Sequence, residues 1–483
     1  MVALSTDAPL VVDLDGTLTP TDTLMESLVN VVKQSPLNLF RILLWLTRGR
    51  AGFKEIVAAH ASFSGDHLPY REALLDYIRE EKQKGRRIVL ATAAHHSIAH
   101  NVANHLGLFD QVLATEAGNN LKGKAKLQAI REKVGQSFVY AGDSAADVPV
   151  WKAAEAAVLV DVAENIAQDV RRDVQVEREF PGEIGGFGVW IRALRVHQWL
   201  KNLLLFVPLL TAFSFFDLGK LTAMIGAFLA FCSAASATYI VNDLWDLEND
   251  RAHPRKRLRP FASARLPILK GLAVAAGALL LALVLAFSVS SAFLLMLLLY
   301  LVLSSAYSWV LKEYVLIDVL MLSLLYTLRI LAGSVAIGIA TSSWLLAFSV
   351  FMFLSLALVK RCAELVYLEE SGKAATRGRD YRITDLVVLW PLGVGAALSA
   401  VVVFGLFISA PETQTRYGTP QMLWFVAFGL IYWLARLWVK TSRGEMHDDP
   451  VIYAIKDHGS RMTVLAMVAI MLVSHFFSFG TYL

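Results

Sequence analysis

The chain has 483 residues, room for two or three domains. Hydrophobic residues make up 56% of it, which argues against a wholly water-soluble protein and for a membrane class. Two cysteines, Cys232 and Cys362, both in apolar stretches, argue against a disulfide framework, and the net charge of +4 matters less than where the basic residues lie.

The apolar content is unevenly spread. Residues 1–190 alternate strand and helix patterns with plentiful charge, whereas from about Trp190 onward stretches near the spanning length of about 20 residues dominate. The start, "MVALSTDAPLVVDLDGT", has no basic run followed by an apolar one, so no cleaved signal peptide is expected and the first domain should stay in the cytoplasm.

"PLVVDLDGTLTPTD" joins a strand signal to an Asp-x-Asp-Gly-Thr turn, with Asp13 and Asp15 two apart and Gly16 permitting close backbone approach. "GRRIVLATAA" repeats the strand with a polar tip at Thr92, and "SFVYAGDSAAD" does so with Asp143 and Asp147. Three strands ending in polar groups suit an α/β sheet whose ligand lies at the carboxyl ends of its strands. Taken in order, with the lysines of "NLKGKAKLQAI" between the second and third, the set resembles the haloacid dehalogenase (HAD) phosphatase superfamily over roughly 1–180. That resemblance implies an α/β Rossmann-like domain in which Asp13 is the nucleophile, Asp15 the acid/base and Thr92 a phosphate ligand. It also implies Mg²⁺ held among Asp13, Asp15, Asp143 and Asp147. Two lysines compete for the remaining role: Lys126 fits the helix start, Lys122 a Lys-Gly pattern, and Lys126 is slightly preferred.

Between Asp15 and Thr92 lie 76 residues, enough for a small helical cap. Within it, "PLNLFRILLWLTRGR" has an apolar run of about ten residues, too short to span a bilayer. It fits either an interfacial helix with Arg41, Arg48 and Arg50 toward headgroups or the packed core of the cap, the second slightly preferred. His95, His96, His100 and His105 read as solvent-facing helix residues, since no cysteine or regular acid spacing completes a metal site. "EREFPGEIGGFGVW" (177–190) reads as a linker between a domain at 1–176 and another at 191–483.

Nine spans are predicted, near 199–216, 221–241, 267–288, 291–309, 316–338, 344–361, 385–409, 421–439 and 462–481. Alternate connections differ in charge. "DRAHPRKRLRP", "LKEY", "KRCAELVYLEESGKAATRGRDYR" and "KTSRGEMHDDPVIYAIKDHGSR" hold nearly all the Lys and Arg, which places them in the cytoplasm and the C-terminus outside.

The first basic connection follows "YIVNDLWDLEND". At about 100° per residue, Asn242, Asp246, Asp250 and Asp243 fall near 0°, 40°, 80° and 100°, one face of a helix. Clustered carboxylates near a bilayer are costly, and a hard cation such as Mg²⁺ bridging to phosphates relieves them. Arg251, Arg255, Lys256, Arg257 and Arg259 follow within ten positions and suit phosphate oxygens. "LRVHQWLKN" brings Lys201 and Asn202 to the same side, "YSWVLKEYVLID" offers Tyr307, Lys312 and Asp318, and Arg329, Lys360 and Arg361 sit within or at the ends of later spans.

These residues resemble the UbiA superfamily of intramembrane prenyltransferases, all-α nine-helix bundles, over roughly 190–483, through the NDxxDxxxD motif. "LRVHQWLKN", "HPRKRLRP", "KRCAEL" and "HDDPVIYAIKD" look most like its decaprenyl-phosphate phosphoribosyltransferase branch. The resemblance implies transfer of 5-phosphoribose from phosphoribosyl diphosphate to a polyprenyl phosphate in a bacterial-type inner (plasma) membrane, with Mg²⁺ at Asn242, Asp243, Asp246 and Asp250. It implies no nucleic-acid partner, and an oligomer is allowed. Ordinary members carry a second aspartate pair; here the corresponding region has only Asp318, which favours the phosphoribosyl branch over an ordinary prenyltransferase with a prenyl-diphosphate donor and aromatic acceptor. A fused phosphatase would remove the 5-phosphate, unless the first domain is a non-catalytic module.

Overall fold

A computed structural model describes residues 8–116, 120–182, 185–371, 379–446 and 450–478. The chain divides into two compact units, one comprising residues up to Leu194 together with Tyr239–Ala276, the other Arg195–Thr238 with residues from Gly277 on.

The first unit is built on six parallel strands: β1 (Leu10–Val12), β2 (Ile88–His95), β3 (Gln111–Thr115), β4 (Val139–Gly142), β5 (Ala156–Val160) and β6 (Gln175–Phe180). Their order is β3-β2-β1-β4-β5-β6. Strands β1, β2, β4 and β5 are nearly continuous apolar runs because both faces are covered, whereas the edge strand β6, Gln-Val-Glu-Arg-Glu-Phe, is largely polar and partly exposed. Alternate residues serve opposite cores: Leu10, Val12 and Leu90 pack on one side, Val11, Val89 and Ala91 on the other. Four helices intervene between β1 and β2: α1 (Thr23–Gln34), α2 (Asn38–Trp45), α3 (Gly49–His60) and α4 (Glu72–Gln83). Asp22 caps α1, accepting from the N–H groups of Leu24 and Met25. Then follow α5 (His96–Leu106), α6 (Lys124–Lys133), α7 (Val148–Trp151), α8 (Glu164–Asp173) and α9 (Phe187–Ala193).

Two expectations about boundaries change here. The segment read as a linker begins inside β6, which pairs with β5 in parallel and extends the sheet. Tyr239–Ala276, assigned by sequence to the membrane half, belongs to the first unit, because Ile240, Leu244, Leu247 and Phe261 form one core with Val189 and Ala193 of α9.

Downstream helices are α10 (Val207–Thr211), α11 (Leu218–Trp245), α12 (Leu247–Ala252), α13 (Ile268–Val289), α14 (Ser291–Trp309), α15 (Ile317–Ile337), α16 (Ser343–Glu370), α17 (Leu386–Ser409), α18 (Pro411–Arg416), α19 (Leu423–Ser442), α20 (Pro450–Lys456) and α21 (His458–Phe476). Among the described residues eight helices are long and apolar enough to cross a membrane: α11, α13 to α17, α19 and α21. The chain is a multi-pass membrane protein. The ninth expected span, near 199–216, instead winds as a 3-10 helix over Val196–Phe206 and then as α10, with Pro208 interrupting the donor series. It is still internal, since Leu205 and Leu209 are buried. The sixth span runs on to Glu370, so Lys360, Arg361 and Glu364 lie within a helix rather than in a loop.

Close packing in the second unit rests on small residues. A Cβ on Gly333 of α15 would lie 2.1 Å from the carbonyl oxygen of Leu205. Gly333→Ala gains roughly 1 kcal/mol of helix propensity but forces apart backbones, an overpacking that costs about 1–3 kcal/mol. The expected result is a lower melting temperature of the purified protein in detergent; an unchanged or higher one would show that the contact relaxes freely.

Candidate active sites

In the first unit, Asp13 follows β1 directly and its N–H bonds to the carbonyl of Ala141 at 3.0 Å, which sets the carboxylate at the carboxyl edge of the sheet. Lys126, in the first turn of α6, donates to Asp13 Oδ2 at 2.6 Å and to Tyr140 Oη at 2.8 Å, and lies 3.5 Å from Asp147 Oδ1. Lys126 thus takes the position for which two lysines competed, while Lys122 lines the same cavity. Burial alone would lower the Lys126 ammonium, but the charges of Asp13 and Asp147 hold it above its ordinary value. Gly16, at φ +79°, is required: a Cβ there would lie 2.2 Å from Asp143 Oδ2.

Ligand atoms of Asp13, Asp143 and Asp147 all lie within 4.8 Å of one another. Burial, and then neighbouring carboxylates, push Asp143 up to about 7. Asp13 is also raised by burial, against the pull of Lys126. One ammonium leaves such a cluster short of positive charge, and all-oxygen donors suit a hard divalent cation, so the residues fit Mg²⁺. Asp147 is engaged on both oxygens, with Tyr140 Oη at 2.7 Å, Ser144 Oγ at 3.0 Å and Ser144 N–H at 3.2 Å, so it holds the geometry as much as it offers a ligand.

Two residues depart from their expected places. Asp15 is not in that carboxylate group; its Oδ1 accepts from the N–H of Thr23 at 2.8 Å, and burial together with Asp22 raises it to about 7. It lines the same cavity as Asp13 and Asp143. Thr92 is fully buried and accepts from the N–H of Ala94 at 3.0 Å, while Ala93, Ala94 and His95 form the cavity wall. The register of β2 against β3 shifts between Ala91 and His95, so the pairing is irregular at Thr92.

The acidic motif at the end of α11 takes a different form from a single helical face. The helix is interrupted at Asp246, which adopts φ −94° and ψ 12° before α12 begins. Asp243 and Asp250 are buried, and Arg259 Nη1 meets them at 3.2 and 2.6 Å, with Lys256 4.0 Å from Asp250. Asp246 is half-buried, and among the described residues no three of these groups converge as the first-unit carboxylates do. Two buried carboxylates around one cationic group remain a donor set for a hard cation. Arg251 does not face them: it clamps Glu26 of α1 at 2.6 and 3.1 Å and donates to the carbonyl of Ala262. Arg257 is exposed and Asn242 half-buried.

In the second unit the expected phosphate ligands are largely committed to one another. Arg329 donates to Asn202 Oδ1 at 3.0 Å, to the carbonyl of Leu325 at 2.6 Å and to Tyr300 Oη at 3.0 Å. It is a buried post joining Val196–Phe206, α14 and α15. Asp318 and Arg361 are completely buried with Oδ2 and Nη2 2.6 Å apart, Tyr307 donates to Asp318 Oδ1 at 2.8 Å, and Arg361 also pairs with Glu364. Lys201 lies over the Tyr326 ring, and Lys312 is half-buried in a 3-10 turn, Leu311–Glu313, that follows α14. Asp457 caps α21 through the N–H of Ser460 and pairs with Arg436, a structural use. Asp448 and Asp449 lie outside the described residues.

Residues 203–456 match the UbiA prenyltransferase family, and residues 10–152 match the haloacid dehalogenase-like hydrolases. The chain belongs to the UbiA prenyltransferase family. It carries an N-terminal HAD-like domain. A Sinorhizobium fredii protein, y4nM, is 40% identical over 94% of this chain and 88% of its own length. The nodulation protein NoeC of Azorhizobium caulinodans is 36% identical over 58% of this chain and 91% of its own. A decaprenyl-phosphate phosphoribosyltransferase of Mycolicibacterium smegmatis is 29% identical over 60% of this chain and 92% of its own.

Sequence reasoning missed Lys54 and the Arg251–Glu26 clamp. Lys54, from α3, lines the HAD cavity and donates to the carbonyl of Ala93 at 2.7 Å and to Asn120 Oδ1 at 3.2 Å. No motif marks it; only the return of the cap over the sheet brings it there.

The Asp318–Arg361 pair gives a test that separates a structural from a ligand role. Arg361→Ala strands a carboxylate with no exposure and is expected to cost about 3–5 kcal/mol, whereas replacing both partners with apolar residues recovers much of it. Thermal melts of the single and double variants check this; equal melting for wild type and Arg361→Ala would leave the pair without structural weight.

Proposed function

We propose that this UbiA-family protein transfers 5-phosphoribose from phosphoribosyl diphosphate to a polyprenyl phosphate and that its HAD-like domain then removes the 5-phosphate. The observation that carries the reading is the state of Asp318. Ordinary prenyltransferases call for a second acidic pair, and here the lone aspartate is sealed between Tyr307 and Arg361. The similarity to the Mycolicibacterium smegmatis phosphoribosyltransferase supports the same donor.

In the transfer, the C1–O bond to diphosphate breaks, diphosphate leaves with the electron pair, and a lipid phosphate oxygen bonds to C1. The lipid phosphate is already anionic, so no strong base is needed. Asp243 and Asp250, with Asp246, are the residues proposed to hold Mg²⁺, which when bound stabilises the leaving diphosphate. For this, Arg259 must release the carboxylates it pairs with and turn to the diphosphate oxygens. Lys312 is a further candidate phosphate ligand by charge.

In the dephosphorylation, Asp13 attacks phosphorus while Lys126 offsets its negative charge, and Asp15 gives its proton to the departing ribose oxygen. Asp15 then takes a proton from the water that cleaves the aspartyl phosphate. Asp13, Asp143 and Asp147 are proposed to hold a second Mg²⁺. A bacterial-type inner membrane, a cytoplasmic first domain and an external C-terminus complete the proposal; the charge asymmetry of the connections supports this sidedness, with Val196–Thr211 taken as the ninth crossing beside the eight long helices.

Membranes supplied with labelled phosphoribosyl diphosphate, polyprenyl phosphate and Mg²⁺ should yield a lipid-linked ribose without its 5-phosphate. Asp13→Asn should yield the phosphorylated lipid. Asp243→Asn should lose labelled lipid by roughly 10²–10³-fold, the scale of removing one transition-state stabiliser. Full yield from Asp243→Asn would sink the transferase assignment, and dephosphorylated lipid at the normal rate from Asp13→Asn would sink the coupled phosphatase.

Asp15, raised to about 7, must be protonated to act as acid, so phosphatase activity should fall as pH rises through that value. The fall should be steep for an alkyl phosphate and shallow for p-nitrophenyl phosphate, whose leaving group needs little protonation. Identical alkaline limbs for the two substrates would remove Asp15 from the acid role.

A further inference from the structure

The second cap helix is turned inside out. In α2, Asn38, Ile42 and Trp45 face inward: Asn38 donates to the carbonyl of Val31 at 2.9 Å, and the Trp45 ring lies 4.8 Å from that of His60. Leu37, Leu39, Phe40, Leu43, Leu44 and Leu46 are all between 55% and 69% exposed. At about 100° per residue these six cover roughly half of the helix circumference, and Arg41 borders the arc. Of the two readings open from sequence, packed cap core is therefore ruled out for this face. A contiguous apolar surface of this kind is uncommon on a protein exposed only to water.

The same unit shows what lies beside it. Glu248 stands three residues beyond Trp245, the end of the spanning helix α11. Lys33 and Asn30, in the last turns of α1, both reach Glu248 at 3.2 Å. Asn38 begins α2 only five residues after Lys33, a reach of at most roughly 18 Å. The exposed apolar helix is thus pinned close to the point where the chain enters the bilayer. Arg41 and Arg48, both exposed, supply the positive charge that anionic headgroups attract.

We infer that α2 is a membrane-docking element of the HAD-like domain: its Leu/Phe face inserts at the interface of the bilayer that holds the chain's own spans, with Arg41 and Arg48 at headgroup level. This goes beyond the proposed reaction and does not rest on it. Its consequence is that the phosphatase cavity works at a lipid surface. Lys54 of the next helix, α3, lines that cavity, so the docked cap would receive phosphate esters carried on membrane-bound molecules.

The test uses the full-length chain in nanodiscs of phosphatidylethanolamine and phosphatidylglycerol. Leu43→Cys and, separately, Leu39→Cys are labelled with an environment-sensitive NBD dye, and doxyl lipid is the quencher. Glu132→Cys, on the exposed side of α6, serves as the aqueous control. The chain without an introduced cysteine reports background from the buried Cys232 and Cys362. Blue-shifted emission with several-fold stronger doxyl quenching at 39 and 43 than at 132 is expected. Water-like emission with control-level quenching at both positions overturns the inference. Blue-shifted emission without doxyl quenching means that protein, a second copy included, covers the helix, and also overturns it. No substrate enters the measurement, so failure of the proposed reaction and failure of docking are separately visible.

Discussion

Taking Asp13, Asp147, Asp243, Asp250 and Asp318 out of water costs several kcal/mol each unless a cation or a set of donors meets the carboxylate. The partners come from other elements, between 9 and 113 positions away along the chain: Lys126 for Asp13 and Asp147, Arg259 for Asp243 and Asp250, Arg361 and Tyr307 for Asp318. Each pairing fixes a relation between elements. Lys126 ties α6 to the end of β1, and Arg361 ties α16 to the start of α15. The pairs differ in what they leave over. Asp318 is closed off with no exposure, whereas the HAD cluster sets three carboxylates against one lysine and keeps a deficit that Mg²⁺ is suited to fill.

The connection between α11 and α13 carries two kinds of charge to two kinds of work. Arg259 and Lys256 turn back onto the acidic motif. Arg251 and Glu248 turn the other way, onto α1 of the HAD-like domain, where Arg251 and Glu26 are each only 9% exposed. A desolvated, bidentate guanidinium–carboxylate pair is a strong positional constraint. It makes the loop that bears the acidic motif part of the HAD unit's own packing. A change in the HAD domain that shifts α1 is therefore felt in the segment holding Asp243 and Asp250.

Much of the architecture is legible in the residues. Three polar-tipped strands are adjacent in the sheet as β2, β1 and β4, and Asp13, Asp143 and Asp147 converge at their ends. Eight of the nine expected spans correspond to long helices. The exceptions have local causes. Pro208 and a 3-10 winding replace the first span, and a turn at Asp246 undoes the angular count that placed four side chains on one face. Strand periodicity could not reveal that Thr92 is fully buried while Ala93, Ala94 and His95 line the cavity, because that depends on what packs around the end of β2.

From sequence alone come the two-part organisation, the membrane class and the identity of the acidic motifs, because hydropathy, strand alternation and turn chemistry act over a few residues. Only the tertiary structure decided which cations answer which carboxylates, that Lys126 rather than Lys122 meets Asp13, that Arg251 meets Glu26 and Arg329 meets Asn202 and Tyr300, and that α2 presents its leucines outward. Charge pairing and burial depend on distances between residues tens to hundreds of positions apart, and those distances exist only once the chain has folded.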